Sequence, residues 1–519
     1  QKKDKKWEKE LICYKKIFEY LCKTCINDNT ELDKEKQNIL SNLSKGQIND
    51  NYLINNIPYC LKKESILHLL EINNEIIIEN SLADLEGLIT TIVFTEFTSP
   101  CGILREKACF FIYNFKEYKY TNTQLLQNII KNLCKLMEND SNLQVRLSAG
   151  LAIGALFGQK GVKELLKGEI KVLLQIYLKL MEETDIEEII DSLQEIVKYF
   201  TEETQTYIVE LSYNLIQYFQ KIIKKDDEEK EIDEYSLINN IITTYCHFIE
   251  YFVNNENIYP KIEKDIDMLL DYCIIQQPYD KMEEGLDIIE SILNNSNTIP
   301  KHVWKYFENL VTSITGTDDE REEFKKESKD NAVFIGNGFE SVLDITSLVS
   351  IYISKEPNNF ILMQDKAGRK YFDYAVKLIE HIILICENKN SFSEIKYTLN
   401  IIKALFDSFK GKIDHIQEQL LTYVCLKHHQ KPSNKLISFL IGVLCFCFIY
   451  DPLKALQFIQ QKNIVQNILT FWFNKLDSLK NNKEIKYNLL ALCSLISIQP
   501  NLLDKLIIEN MKPLIGKIY

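Results

Sequence analysis

Residues with the means to do covalent or metal chemistry are few and scattered in this chain of 519 residues. Cys22-Lys-Thr-Cys25 has the spacing of a metal-binding or redox pair, yet no second CxxC or Cys/His pair follows at zinc-finger spacing and no strand–helix–strand pattern surrounds it. On a helix, i and i+3 share a face, which is the simpler reading of that pair. Of the seven histidines (His68, His247, His302, His381, His415, His428, His429), only the last two adjoin, and sequence neighbours do not share a helix face. Ile335-Gly-Asn-Gly-Phe339 offers two glycines, but neither a preceding strand nor a following GK[ST], as a phosphate loop requires. No GxSxG or HExxH occurs. Without a nucleophile, base or metal-ligand constellation, the chain is expected not to be an enzyme and to use no cofactor or metal.

Acid at helical spacing is the informative chemistry. Glu187, Asp191 and Glu195 fall at i, i+4 and i+8; Glu283, Asp287 and Glu290 fall at i, i+4 and i+7, again on one helix face. Like charges so placed cost a helix a few tenths of a kcal/mol each, about what an opposite-charge pair would contribute. Such a stripe is either a solvated face or a docking surface for a basic partner. The run Asp226, Asp227, Glu228, Glu229, Glu231, Asp233, Glu234 carries seven acids against one base, and the same two readings apply to it as an exposed loop. The formal net charge of −13 disfavours nucleic acid and membrane as direct partners, since both need a positive footprint.

The elements that position these acids are helices. Only 16 Gly and 10 Pro occur, too few for the turns of a large sheet protein. From Asp185 to Phe200 the apolar residues Ile186, Ile189, Ile190, Leu193, Ile196, Val197 and Phe200 form one helical stripe, with the acids opposite. Thr184 or Asp185 is expected to cap that helix, and the next is expected to open at Thr201 and run through Phe219. The apolar run Leu436–Tyr450 is too short to cross a membrane and reads as a core helix. Most of the 14 cysteines, among them Cys109, Cys134, Cys246, Cys386, Cys425, Cys445, Cys447 and Cys493, fall in apolar helical runs, where thiols pack as small hydrophobes.

A period underlies the helices. Asp140 at a turn, then Val145-Arg146, then Ala149, Ala152 and Ala155, has the form of the second helix of a HEAT repeat. Asp140 is expected to cap and to pair with Arg146 or an equivalent Arg of a neighbouring repeat. Leu104-Arg105 with Ala108 lies 41 residues earlier, and Glu187–Asp191 follows about 45 later. Glu394-Ile-Lys396 with Ala404 and Glu484-Ile-Lys486 with Ala491 stand 90 residues, or two periods, apart. The expected fold is all-α, a HEAT-repeat α-solenoid whose second helices, and therefore the acid stripes, line the concave side. Weakly patterned repeats are expected at 1–99, HEAT repeats at 100–315, an exposed charged loop at 316–334 and further repeats at 335–519. The chain opens at Gln1 inside a charged stretch, as a piece of a longer protein would.

Leu104-Arg-Glu-Lys-Ala-Cys-Phe-Phe-Ile-Tyr-Asn-Phe115 resembles a segment of the importin beta superfamily, in the branch of importins seven and eight. The likeness continues through Val145-Arg146, Glu182-Glu-Thr-Asp185 and Tyr199-Phe-Thr-Glu-Glu203, with an acidic linker then falling at 226–234. It resumes in order at Tyr450-Asp-Pro-Leu453, Phe471-Trp-Phe-Asn-Lys-Leu476 and Leu489-Leu-Ala-Leu-Cys-Ser-Leu495. The resemblance implies a nuclear import receptor that shuttles between cytoplasm and nucleus. It would bind basic cargo such as ribosomal proteins or histones, touch Phe-Gly nucleoporins at the pore, and answer to the Ran GTPase through N-terminal repeats that this chain is expected to lack. An exportin of the same superfamily and a static HEAT scaffold are the alternatives.

Overall fold

Helices form here because apolar residues recur at three- and four-residue steps and caps mark their starts. Asn122 accepts from the Leu125 amide at the head of the Thr123–Asn139 helix, and Ser433 accepts from Leu436 at the head of Asn434–Tyr450. The computed structural model describes residues 16, 58–81, 84–184, 187–224, 232–328, 332–429, 432–476, 481–499 and 508–509. Cys22 and Cys25, and the acids Asp226, Asp227, Glu228, Glu229 and Glu231, lie outside them. The chain divides into two units, 1–265 and 266–519. Among the described residues neither contains a strand ladder.

In the first unit, one layer is a row of second helices: α1 (Pro58–Glu71), α2 (Gly102–Asn114), α3 (Leu143–Leu156), α4 (Glu187–Tyr199) and α5 (Ile232–Phe252). Each packs on the next. Their starts at 58, 102, 143, 187 and 232 are separated by 41 to 45 residues, so the expected period is present. The first helices Thr123–Asn139, Ile170–Thr184 and Ile208–Ile223 pack on α3, α4 and α5 as the second layer. Ala149 and Ala152 are fully buried, and Gly154 allows the α3 backbone to approach Ser192 on α4 so closely that a Cβ would overlap its hydroxyl. Small residues therefore set the spacing between repeats.

The second unit repeats the plan with α6 (Met282–Asn295), α7 (Val342–Lys355), α8 (Thr398–Ser408), α9 (Asn434–Tyr450) and α10 (Asn482–Ile496), each again packed on its neighbour. Starts at 282, 342, 398, 434 and 482 are less regular. The two helices matched at 90-residue separation, α8 and α10, do have one repeat between them, α9. Its apolar run is buried at Leu440, Val443, Leu444, Cys445, Cys447 and Phe448, as the pattern predicts. Among the described residues, no helix is long and apolar enough to cross a membrane.

Several local expectations need correction. The stretch 316–334 is not simply a loop, because a helix, Asp318–Glu327, occupies most of it. That helix has no buried residue. A capping box forms it: Thr317 Oγ1 accepts from the Glu320 amide and the Glu320 carboxylate accepts from the Thr317 amide at 2.7 Å. Asp233 and Glu234, expected in the acidic loop, belong to α5. The helix expected from Thr201 is a single turn, Thr201–Thr204, followed by a separate start at Ile208. Thr184 does not cap α4, since its hydroxyl donates back to the Leu180 carbonyl at 2.7 Å, and Asp185 is outside the described residues. Cys493 is exposed, whereas Cys109, Cys386, Cys445 and Cys447 are buried. The glycines of Ile335–Phe339 serve packing: a Cβ on Gly336 or Gly338 would overlap Ser313.

Candidate functional site

Asp140 anchors the acid-bearing layer. Its carboxylate accepts from Arg105 Nε at 2.7 Å and from Arg105 Nη2 at 2.9 Å, a bidentate pair between α2 and the turn before α3. It also accepts from the Asn142 amide at 2.9 Å. Burial opposes ionisation of Asp140, but the Arg105 and Asn142 hydrogen bonds outweigh it and hold the carboxyl below its ordinary pKa. Of the two partners expected, the Arg of the neighbouring repeat is the one used. Arg146 turns instead to the Asp140 carbonyl at 3.1 Å and to Glu183.

These pairs tie α2 to the turn before α3, and α3 to the Ile170–Thr184 helix. On α4, Asp191 is exposed and Glu188 and Glu195 are half-buried. Glu187 begins the helix, but its side chain is outside the description. Glu195 is not a bare charge: Lys198 donates to it at 3.0 Å and lies 5.2 Å from the Tyr199 ring centroid. Across α3, the α2 face presents Phe110 and Tyr113, stacked at 5.6 Å between centroids. Tyr113 has a raised pKa, from partial burial first and then from Glu188 and Asp191, so its hydroxyl lies in their field although it is on α2. Near the end of α3, Ala155 is half-buried, and Gly158 in the turn that follows lies so close to the Tyr199 hydroxyl that a Cβ there would overlap it.

In the second unit, α6 presents Glu283, Asp287 and Glu290, all exposed, on one face opposite the buried Leu286, Ile289 and Leu293. Asp287 has a raised pKa, through desolvation first and then repulsion from Glu290, Glu284, Asp344 and Glu283. Two of those acids were not expected from sequence. Glu284 is bonded by Lys281 at 2.9 Å. Asp344 is exposed on α7, and the packing of α6 against α7 brings it to the stripe. Local spacing holds no signal for a residue 57 positions from Asp287; only the repeat phase could have found it. Among the described residues, Glu283, Asp287 and Asp344 make no ion pair.

The other layer carries a shallow groove. Lys171, Leu174, Gln175 and Leu178 of the Ile170–Thr184 helix face Glu210 and Leu211 of Ile208–Ile223, with Tyr207 at one end. Away from these surfaces, His428 is accounted for locally: its Nδ1 lies 2.9 Å from the Cys425 carbonyl and its ring packs on Phe471.

No family model matches the chain. It is 22% identical over 426 residues to a probable importin-7 homolog of Dictyostelium discoideum, covering 81% of this chain and 37% of that protein. It is 24% identical over 465 residues to an importin beta-like SAD2 homolog of Arabidopsis thaliana, covering 86% of this chain and 42% of the relative. Importin-8 of Mus musculus is 22% identical over 346 residues, 63% of this chain and 32% of its own length. The chain thus spans well under half the length of the curated relatives it matches. A solved structure of importin beta overlays with a TM-score of 0.46 at 12% identity, covering 89% of this chain and 54% of that one.

Proposed function

As a member of the importin beta superfamily, of the importin-7 and importin-8 type, this chain is, we propose, part of a nuclear import receptor that binds basic protein cargo on its acidic second-helix faces. The observation that carries the reading is the α6–α7 patch, where Glu283, Asp287, Glu290 and Asp344 are close enough that, after desolvation, their repulsion adds to the raised pKa of Asp287. A protein under no demand but solubility could place Lys at i+4 and gain a few tenths of a kcal/mol per pair. A basic segment laid on this face relieves the repulsion, so binding is coupled to the discharge of an unfavourable local field. The α4 stripe with Asp191 and Glu188 offers a second such face. Histone-like and ribosomal proteins fit in charge.

Passage through the pore and release complete the proposal. We assign contacts with Phe-Gly nucleoporins to the surface between the first helices Ile170–Thr184 and Ile208–Ile223, where Leu174, Leu178, Tyr207 and Leu211 lie beside Lys171, Gln175 and Glu210. Ran control would act through the whole receptor, and shuttling between cytoplasm and nucleus follows from that cycle.

The test is equilibrium binding of a purified histone-type protein to the full chain. Reversing Glu283, Asp287 and Glu290 to Lys is expected to weaken binding at least about tenfold, a loss of 1.4 kcal/mol or more. Unchanged affinity contradicts the assignment of this face. In a full-length receptor Ran-GTP is expected to disperse the complex; tightening by Ran-GTP would instead identify export.

A further inference from the structure

The polar segment 316–327 has no part in the functional reading above, yet it presents one hydroxyl in a setting that chemistry can use. We infer that Thr317 is a phosphate-acceptor site for an acidophilic serine/threonine kinase, and that Arg321 and Arg369 hold the phosphate once it is made. Thr317 is exposed, and acids stand at the first, second, third, fifth and sixth positions after it: Asp318, Asp319, Glu320, Glu322 and Glu323. A kinase with a basic substrate groove selects such a sequence by charge. Gly316 at φ +73° turns the chain away from the buried Thr315, and Thr317 follows in extended backbone at φ −71° and ψ 169°. The helix beginning at Asp318 buries no residue, so its acids can uncoil into a kinase cleft without opening the core. In the transfer, Thr317 Oγ1 forms a bond to the γ-phosphorus of kinase-bound ATP. The bond from that phosphorus to the β,γ-bridging oxygen breaks, ADP departs with its electron pair, and the hydroxyl proton passes to the general base of the kinase.

The receiving cations are already in position. Arg321 Nη1 donates to the Thr315 carbonyl at 3.0 Å and to the Gly316 carbonyl, while Nη2 reaches Asp318, so this guanidinium spans the residues on both sides of Thr317. Arg369 comes from the loop before the Tyr371–Asn388 helix. Asp365, whose side chain is 1% exposed, fixes it by accepting from the Arg369 amide at 2.8 Å and from Nε at 2.6 Å. The Nη edge is thereby turned outward, with Nη1 on Asp318 at 2.8 Å. Two guanidinium groups thus meet on the residue next to Thr317. A phosphate brings about two negative charges and three acceptor oxygens, so it takes these donors in preference to the Asp318 carboxylate. The capping box is lost in the exchange, because Thr317 Oγ1 no longer donates to Glu320 and the phosphate repels that carboxylate. Modification therefore ties the segment to the Arg369 loop at the expense of its own first turn.

The experiment incubates the full chain with casein kinase 2, an acidophilic enzyme, and ATP. Tandem mass spectrometry is expected to find the phosphate on residue 317, Thr317→Ala to lose it and Thr317→Ser to restore it. Far-ultraviolet circular dichroism confirms that each variant is folded. Alkaline phosphatase is then applied to the phosphorylated chains, and Arg369→Ala is expected to quicken removal about tenfold, the scale of one charge-assisted hydrogen bond lost. Should Arg369→Ala fail to fold, Arg321→Ala carries that comparison. No phosphate, or phosphate on other residues alone, would overturn the site. Equal rates of removal would overturn the arginine seat and with it the tie to the Arg369 loop.

Discussion

Arg105 and Asp140 are the residues on which the acidic layer of the first unit depends. Their side chains are 14% and 5% exposed, so removing one strands the other largely away from water. Asp140→Ala is expected to destabilise that unit by about 3 kcal/mol, read as a lower denaturant midpoint with unchanged slope. The pH dependence has a defined sign. Folding lowers the Asp140 pKa beneath its ordinary 3.8, so its contribution is complete above that value and fades as the pH falls through the lower folded one. The stability gap between the native chain and Asp140→Asn should therefore close in acid. Asp287 is the opposite case, with its pKa raised. Bound cations favour its charged form, so binding of a basic peptide to α6 should release protons and should weaken on acidification before an ordinary aspartate would titrate. Calorimetry in buffers of different ionisation enthalpy checks this, and Asp287→Asn should remove the effect. The exposure of Asp191 and of Glu283, Asp287 and Glu290 was legible from spacing alone, because three- and four-residue steps fix a helix face. What spacing could not give was how much charge remains. Glu195 is bonded by Lys198, an i, i+3 partner visible in the sequence, while Asp344 joins from another repeat.

At the scale of elements, the second helices followed from their small residues and Arg positions, since Ala149, Ala152 and Gly154 are where neighbouring backbones approach. Asp318–Glu327 was missed for the converse reason: with no apolar stripe, a charged decapeptide reads as loop. Its signal was the capping box Thr317-x-x-Glu320. Tertiary ties add to it. Arg369 donates to Asp318 at 2.8 Å and to Asp365 at 2.6 Å, and the phenyl rings of Phe324 and Phe334 meet edge to face at 5.6 Å. Because nothing in this helix is buried and few ties hold it, its cap is expected to govern local opening rather than unfolding of the chain. Thr317→Ala is expected to cost about 1 kcal/mol there and so to speed amide exchange across 318–327 by roughly fivefold, with the unfolding midpoint of the chain unchanged. A fall in that midpoint would mean the helix is part of the core.

For the whole molecule, a net charge of −13 repels like-charged partners and speeds encounter with basic ones, but charge alone does not distinguish a docking face from a solvated one. Position does. Glu283, Asp287, Glu290 and Asp344 lie together across α6 and α7, whereas Asp319, Glu322 and Glu323 are exposed on a helix that intersperses Arg321, Lys325 and Lys326 among its acids. The most direct measurement is therefore the affinity of a histone-type protein for the full chain across a series of salt concentrations. Three forms are compared: unaltered, Glu283, Asp287 and Glu290 reversed to Lys, and Asp319, Glu322 and Glu323 reversed to Lys. Both variants change the net charge equally. Weaker binding and a shallower salt dependence in the first variant alone are the predicted result. Equal loss in both would reduce the effect to bulk charge and contradict a cargo face on α6 and α7.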